Sequence, residues 1–326
     1  MDQNVMLLSP AGKDYLWGGV RLLEEFDKRD RLQGGPFDIL AESWECSTHP
    51  DGLCVVANGE FAGKTLAEVL REHPEFVGSH PRQNARTFSE LPVLIKLIDA
   101  AKDLSVQVHP NDIYAWNKEG QPGKTEMWYV LDATSDASLV YGFSHDATPE
   151  EIRESISNGT IGKHLKKIPV KKDDVFFIEP GTVHAIGKGI LLAEIQECSN
   201  ITYRLFDYDR IDKNGQKRPL HIEKALEVAN LAEQKPARLG MRVMRYQNGA
   251  ASESLCRCEY FQVDRILVSS RYQGIVEENS FQVFLIIDGE LQIQDLNVQK
   301  GDCVFLPANS KEVTVTGKGQ FLKICC

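Results

Sequence analysis

No apolar run in this chain approaches the roughly 20 residues needed to span a bilayer. The opening residues, Met1-Asp2-Gln3-Asn4, carry neither the basic stretch nor the apolar core of an export signal. Both absences point to a soluble protein kept in the cytoplasm, with no membrane partner. Positive charge is also short: 37 Lys and Arg stand against 47 Asp and Glu, for a formal net charge of −10. A nucleic-acid partner needs clustered cations for the phosphate backbone, so that class is excluded, whereas a small phosphorylated substrate needs only a few well-placed ones. There is no CxxC pair. The cysteines at 46, 54, 198, 256, 258, 303, 325 and 326 show no disulfide-like rhythm and read as reduced thiols, again a cytoplasmic trait. Nothing in the sequence sets an oligomeric state.

What is abundant is short β-branched and aromatic runs separated by Gly, Pro, Asn and Asp. Val93–Ile98, Ser105–His109, Met127–Leu131, Val175–Ile178, Ile190–Ile195, Phe281–Ile287 and Val304–Leu306 are the clearest. Their spacing predicts a mainly β sandwich or barrel protein rather than repeated βαβ units. Helices are expected at only three places. Thr65 caps a stretch to Val77 with Leu66, Val69 and Leu70 on one face. Thr148 caps another, with Pro149 at the first helical position and Ile152 and Ile156 following. The third runs from about Pro219 to Leu231. The polar stretch Ala232–Arg238 reads as a connection between two β units.

Residues 173–184 and 301–312 repeat one pattern: an acidic turn, an apolar strand, a Pro-containing bend and a return strand. Aligned on Asp174 and Asp302, Gly181 matches Asn309, both suited to left-handed backbone, and His184 matches Glu312. The pattern resembles the second motif of cupins, which implies two jelly-roll barrels with a few inserted helices. We expect a catalytic unit over residues 1–240 and a metal-free unit over 241–326, because only the first repeat keeps a His at the ligand position.

Gln107 and His109 lie two apart on an expected strand and so share a face. Glu126 and His184 are further polar groups interrupting apolar strands. Two imidazoles, a carboxylate and an amide oxygen suit a borderline divalent metal such as Zn²⁺. The lack of a thiolate favours an open, catalytic site over a closed structural one.

Several motifs together resemble the type I phosphomannose isomerases in their short bacterial form. They are Tyr15-Leu16-Trp17-Gly18-Gly19, Ala41-Glu42-Ser43-Trp44-Glu45, Leu91-Pro92-Val93-Leu94-Ile95-Lys96 and Ser105-Val106-Gln107-Val108-His109-Pro110. Lys124-Thr125-Glu126-Met127, Pro180-Gly181-Thr182-Val183-His184-Ala185 and the segment Asn200 to Arg210 complete the set. The resemblance covers nearly the whole chain. It implies one Zn²⁺ per chain on Gln107, His109, Glu126 and His184, and interconversion of mannose 6-phosphate and fructose 6-phosphate. It places the active-site arginine at Arg204, and Ser105, Lys124 and Glu194 on the pocket wall. Lys124 and Ser105 suit a phosphate anchor, and Glu194 a proton-transferring carboxyl acting through an enediol. Trp17, Trp44 and Glu45 are expected beside the cleft. Pro180, Ile186 and Asn200 depart from the family pattern. Two other readings use the same ligands: an iron-dependent cupin oxygenase, and a non-catalytic sugar-binding or regulatory cupin. Arg204 beside a complete ligand set argues against a pure binding module.

Overall fold

The computed structural model describes residues 5–84, 90–211, 215–235 and 242–326, and in these the strands form three antiparallel sheets. The middle layer has six strands, in the order Val175–Ile178, Glu126–Ala133, Ile190–Glu197, Val93–Ala100, Glu42–Cys46 and Ala11–Lys13. A five-stranded sheet runs Tyr203–Phe206, Val106–Val108, His184–Ala185, Ser138–Phe143 and Leu165–Pro169. A ten-stranded sheet spans Arg245–Gln247 through Lys311–Cys325 and also takes in Met6–Ser9 and Val55–Val56 from the other end of the chain. The N-terminal strand is held there by Met6 opposite Phe305 and Leu7 opposite Val304. The polar connection expected over 232–238 and the unit boundary expected at 240/241 fall partly or wholly outside the described residues.

Strand alternation explains the layering. Val93, Ile95, Leu97, Met127, Tyr129, Leu191, Ala193 and Ile195 face one way, into a cluster with Val263, Val283, Leu285, Phe305, Leu322 and Ile324 of the ten-stranded sheet. Their neighbours Ile98, Ala100, Trp128, Val130, Ile190 and Leu192 face the opposite way, against Leu139 and Tyr141 of the five-stranded sheet. A sheet covered on both faces reads as a continuous apolar run, and every residue of Val93–Ala100 and Ile190–Glu197 is buried. Outside the five-stranded sheet, Val106, Val108, Phe143, Val183 and Tyr203 pack under Ile152, Ile156 and Ala225 from helices.

Two helices begin where expected. Thr65 and Thr148 each accept from the backbone N–H three residues on, at 3.2 Å, and Glu68 and Glu151 return the contact, completing capping boxes. The first is shorter than the expected span to Val77: the α-helix is Leu66–Glu72, and a 3₁₀ turn follows over Pro74–Val77, because Pro74 cannot continue the ladder. The third covers Ile222–Val228, since His221 gives no side-chain cap. Asp112–Glu119 was not foreseen; Asn111 caps it and Gly120 closes it in the left-handed region. Arg21–Glu25 and Ser79–Asn84 are further short helices. No helix among the described residues is long and apolar enough to cross a membrane.

The internal repeat holds in three dimensions. Asp174 Oδ2 accepts from the Lys171 N–H at 2.9 Å, and Asp302 Oδ2 from the Gln299 N–H at 2.8 Å. The strands Val175–Ile178 and Cys303–Leu306 follow, and Gly181 (φ 85°) and Asn309 (φ 63°) both take left-handed backbone.

Thr148→Ala removes one exposed cap and should cost about 1 kcal/mol in urea unfolding. Leu285→Ala opens a void between two sheets and should cost about 2–5 kcal/mol in the same measurement.

Candidate active site

The two facing sheets each set one row of polar side chains toward the space between them. In the five-stranded sheet His184 pairs with Gln107, and Gln107 with Arg204, so the three share a face. In the middle sheet Trp44 pairs with Lys96, Lys96 with Glu194, and Glu194 with Trp128, while Glu126 pairs with Gln196.

At the centre, candidate ligand atoms of His109, Glu126 and His184 all lie within 4.8 Å of one another, and all three residues are buried. His109 Nδ1 lies 2.8 Å from the Ile201 carbonyl and His184 Nδ1 2.9 Å from the Thr182 carbonyl. A carbonyl only accepts, so both rings carry their proton on Nδ1 and turn an Nε2 lone pair inward. Those Nε2 atoms lie 3.2 and 3.7 Å from the Glu126 carboxylate. Burial and the Lys124 charge lower His109 to about 3, and burial lowers His184, so both imidazoles are neutral. Burial alone would raise Glu126, but the Lys124 ammonium outweighs it and holds the carboxyl well below the usual range.

Lys124 Nζ lies 2.6 Å from Glu126 Oε1 and 3.3 Å from His109 Nε2, yet neither Glu126 oxygen accepts a well-formed hydrogen bond. A fully buried carboxylate left open in this way, ringed by imidazole lone pairs, fits a bound cation, and the lysine ammonium stands against the same atoms. Gln107 completes the ring: its Nε2 lies 3.5 Å from His184 Nε2, and its Oε1 takes a 3.3 Å hydrogen bond from Ser105 Oγ. A half-turn of the amide exchanges the two atoms, offering Oε1 to the centre and Nε2 to the serine. The group fits a metal ion.

Arg204 sits beside it, half-buried, with a buried Nε that has no hydrogen-bond partner among the described residues and with Nη1 3.4 Å from the Pro219 carbonyl. Burial and nearby Arg218 lower its pKa from the ordinary guanidinium value. Glu194 is buried, accepts from Trp128 Nε1 at 2.9 Å, and meets Lys96 Nζ at 3.1 Å. Burial and the Glu126 charge raise its pKa, with Lys96 and Lys124 opposing.

One expected cleft residue is elsewhere. Glu45 is fully buried but turned away: its carboxylate pairs with Lys28 Nζ at 2.7 Å, and Lys28 also bonds the Gly301 carbonyl. Neighbours on a strand face opposite ways, so with Trp44 opposite Lys96 the Glu45 side chain points to the far face. Trp17 is packed with Ile98, Ala100 and Trp128 on the face of the middle sheet that carries Lys96 and Glu194, beside partly exposed Tyr15. Trp44 does face the cleft, under Lys96 Nζ at 5.0 Å from its ring. Sequence reading missed Lys96 and Glu42 as members of the site; their oxygen and nitrogen atoms are 3.6 Å apart. The available signal was a lone lysine inside an otherwise apolar strand. It also missed the cationic rim, where Asp207 pairs with Arg218 at 2.6 Å and with Arg210. Asn200, a departure from the family pattern, bonds Asp51 Oδ2 at 2.8 Å at the surface.

Burial would raise Asp207, but Arg218 and Arg210 outweigh it and lower its carboxyl below the ordinary value. Its stabilisation is therefore present above the unfolded carboxyl pKa and is lost as pH falls through the depressed folded value. Asp207→Asn should flatten that part of the acid limb in urea unfolding between pH 3 and 7, and a difference curve against wild type reads it.

Comparison with known proteins accounts for this layout. The family model "Phosphomannose isomerase type I, catalytic domain" matches residues 5–134, and "Mannose-6-phosphate isomerase, cupin domain" matches 252–326. The chain is similar to the mannose-6-phosphate isomerase of Streptococcus mutans, with 38% identity over 91% of this chain and 90% of that one. Its structure is similar to that of the mannose 6-phosphate isomerase from Bacillus subtilis, with a TM-score of 0.88, 32% identity and 99% of each chain covered. A zinc-bound mannose 6-phosphate isomerase shares the fold at 16% identity and a TM-score of 0.74, over 98% of both chains. The chain belongs to the type I phosphomannose isomerases.

Proposed function

We propose that the chain is a zinc-dependent isomerase interconverting D-mannose 6-phosphate and D-fructose 6-phosphate, with one zinc ion per chain held by Gln107, His109, Glu126 and His184. The observation that carries this reading is the open Glu126 carboxylate ringed by two inward-facing imidazole lone pairs. Imidazole, carboxylate and amide donors without a thiolate suit zinc at a site that keeps a place for substrate. Zinc bound there supplies Lewis-acid charge for the sugar oxygens.

The remaining work falls to side chains. Moving an aldose carbonyl from C1 to C2 requires a hydrogen to leave C2 and arrive at C1, and through a cis-enediol it moves as a proton carried by a base. Glu194 is the carboxyl for this: burial and the Glu126 charge raise its pKa above the ordinary carboxyl value, which suits a group that takes and returns a proton. Trp128 and Lys96 hold it in one orientation from two sides. Negative charge grows on oxygen in the cis-enediol, and Arg204 offers a permanently charged, planar donor with one N–H already desolvated and unpaired. Ser105 lies at the edge of the ligand ring and Lys124 within it; on binding metal the Lys124 ammonium must leave the ligand atoms, which frees it to meet the substrate phosphate. The excess of acidic residues and the cysteines without a disulfide rhythm support a cytoplasmic enzyme of small phosphosugars, with neither nucleic acid nor membrane as partner.

A coupled assay on mannose 6-phosphate tests the whole reading. Chelation should abolish turnover and zinc should restore it; His184→Ala should lose metal and activity with the fold intact. Full turnover by a metal-free chain would sink the assignment. For the carboxyl, Glu194→Gln should lower kcat on the order of 10²–10⁴-fold. In heavy water deuterium should enter at C2 of the mannose product. Quantitative transfer of label from C2 to C1 that persists in Glu194→Gln would instead mean a hydride shift.

A further inference from the structure

Glu126 is aimed by the residue before it, and that residue is clamped from outside the ligand ring. Glu197, on the strand beside Glu126 and 3% exposed, accepts the Thr125 N–H at 2.6 Å through Oε1. Its own N–H donates to the Thr125 carbonyl at 3.1 Å, so Thr125 is held at both polar atoms by a single residue. Asp112, first residue of the helix after His109, accepts the Gly123 N–H at 2.7 Å, and the Lys124 N–H donates to the Pro110 carbonyl at 3.1 Å. The fit at Gly123 is closed: a Cβ there would meet the Asn111 carbonyl carbon and the Asp112 nitrogen at 2.6 Å. Tyr260, on the turn between the strands Ala250–Arg257 and Gln262–Val268 of the ten-stranded sheet, donates its hydroxyl to the other Asp112 oxygen at 3.1 Å.

Burial and the Asp112 charge raise Glu197 to about 8. The segment 123–125 thus hangs between Pro110 and Asp112, just after ligand His109, and Glu197, one residue beyond Gln196 opposite ligand Glu126. It has no slack.

We infer that Glu197 and Asp112 are positioning residues for the metal centre: two carboxyls, the second held by Tyr260, that fix the backbone of 123–125 and so aim Glu126 and Lys124. The inference rests on the metal reading above. Outer contacts of this kind hold ligand geometry and are worth about 10–100-fold in metal affinity. Glutamine keeps an oxygen that accepts from Thr125, whereas alanine has none and aspartate is too short by one methylene.

Zinc affinity of the full chain, read by competition with a chromophoric chelator, tests this, alongside amide exchange of the peptide spanning 120–126 in chelated protein. Glu197→Gln should stay close to wild type in both. Glu197→Ala should lose about 10–100-fold in zinc affinity and exchange its Thr125 amide faster. Wild-type affinity in a folded Glu197→Ala overturns the inference, and so does a Glu197→Gln as weak as the alanine variant. Should Glu197→Ala not fold, Glu197→Asp decides by the same two measurements: weaker binding and faster exchange support the clamp, wild-type values overturn it. No sugar enters either measurement. A wild type that binds zinc yet leaves mannose 6-phosphate unchanged defeats the isomerase reading alone, whereas one that binds no zinc defeats both.

Discussion

A carboxylate without solvent, Glu126, is the constraint on which the rest of this molecule depends. A buried charge is tolerated only when neighbouring groups answer it, and here the answer is a lattice of alternating sign. Lys124 meets Glu126; Glu194 stands further along the same face; Lys96 lies between Glu194 and Glu42. Removing any member leaves its neighbours uncompensated in a low-dielectric interior. The lattice also keeps the imidazoles neutral, since burial and Lys124 both oppose a proton on His109. Ligand lone pairs and an open carboxylate are thus two results of one electrostatic arrangement.

Such a lattice requires rigid backbone, and the middle sheet provides it by being covered on both faces. Its outer face is sealed by the ten-stranded sheet, where Val283, Leu285, Phe305 and Leu322 pack on Val93, Ile95 and Leu97. Met6–Ser9 stitches the two ends of the chain together through Phe305. The ten-stranded sheet therefore shapes the site without entering it: it fixes the strands that carry Lys96, Glu126 and Glu194, and through Tyr260 it reaches Asp112.

How much of this was legible from sequence depended on whether the signal was local. Capping boxes at Thr65 and Thr148 are local, and they were readable. So were the left-handed positions Gly181 and Asn309, and the shared face of Gln107 and His109, because alternation and backbone strain act over a few residues. Glu45 was placed wrongly because it was expected at the cleft together with Trp44, whereas neighbours on a strand face opposite ways. Lys96 escaped notice for the opposite reason. Its strand is so apolar that one lysine looks incidental, and its partners Glu42 and Glu194 are distant in sequence. The helix after Asn111 was missed because its apolar residues, Ile113, Tyr114, Ala115 and Trp116, run consecutively and only Ala115 is buried, so periodicity had little to report.

The repeat shows why similar backbone gives different chemistry. Asp174 and Asp302 make the same turn, and Gly181 and Asn309 the same bend, so both copies deliver a return strand in comparable geometry. In the first copy that strand brings His184 inward, with Nδ1 held by the Thr182 carbonyl. In the second, Glu312 is exposed, and the interior is filled by Tyr272, Phe284, Ile286, Val304 and Phe321. Aromatic rings packed as closely as Phe284 and Phe321, with centroids 4.4 Å apart, make that interior a stiff wall. One barrel motif thus became a polar cavity and the other a packed support, and the cavity's buried charges are sustainable because the support does not yield.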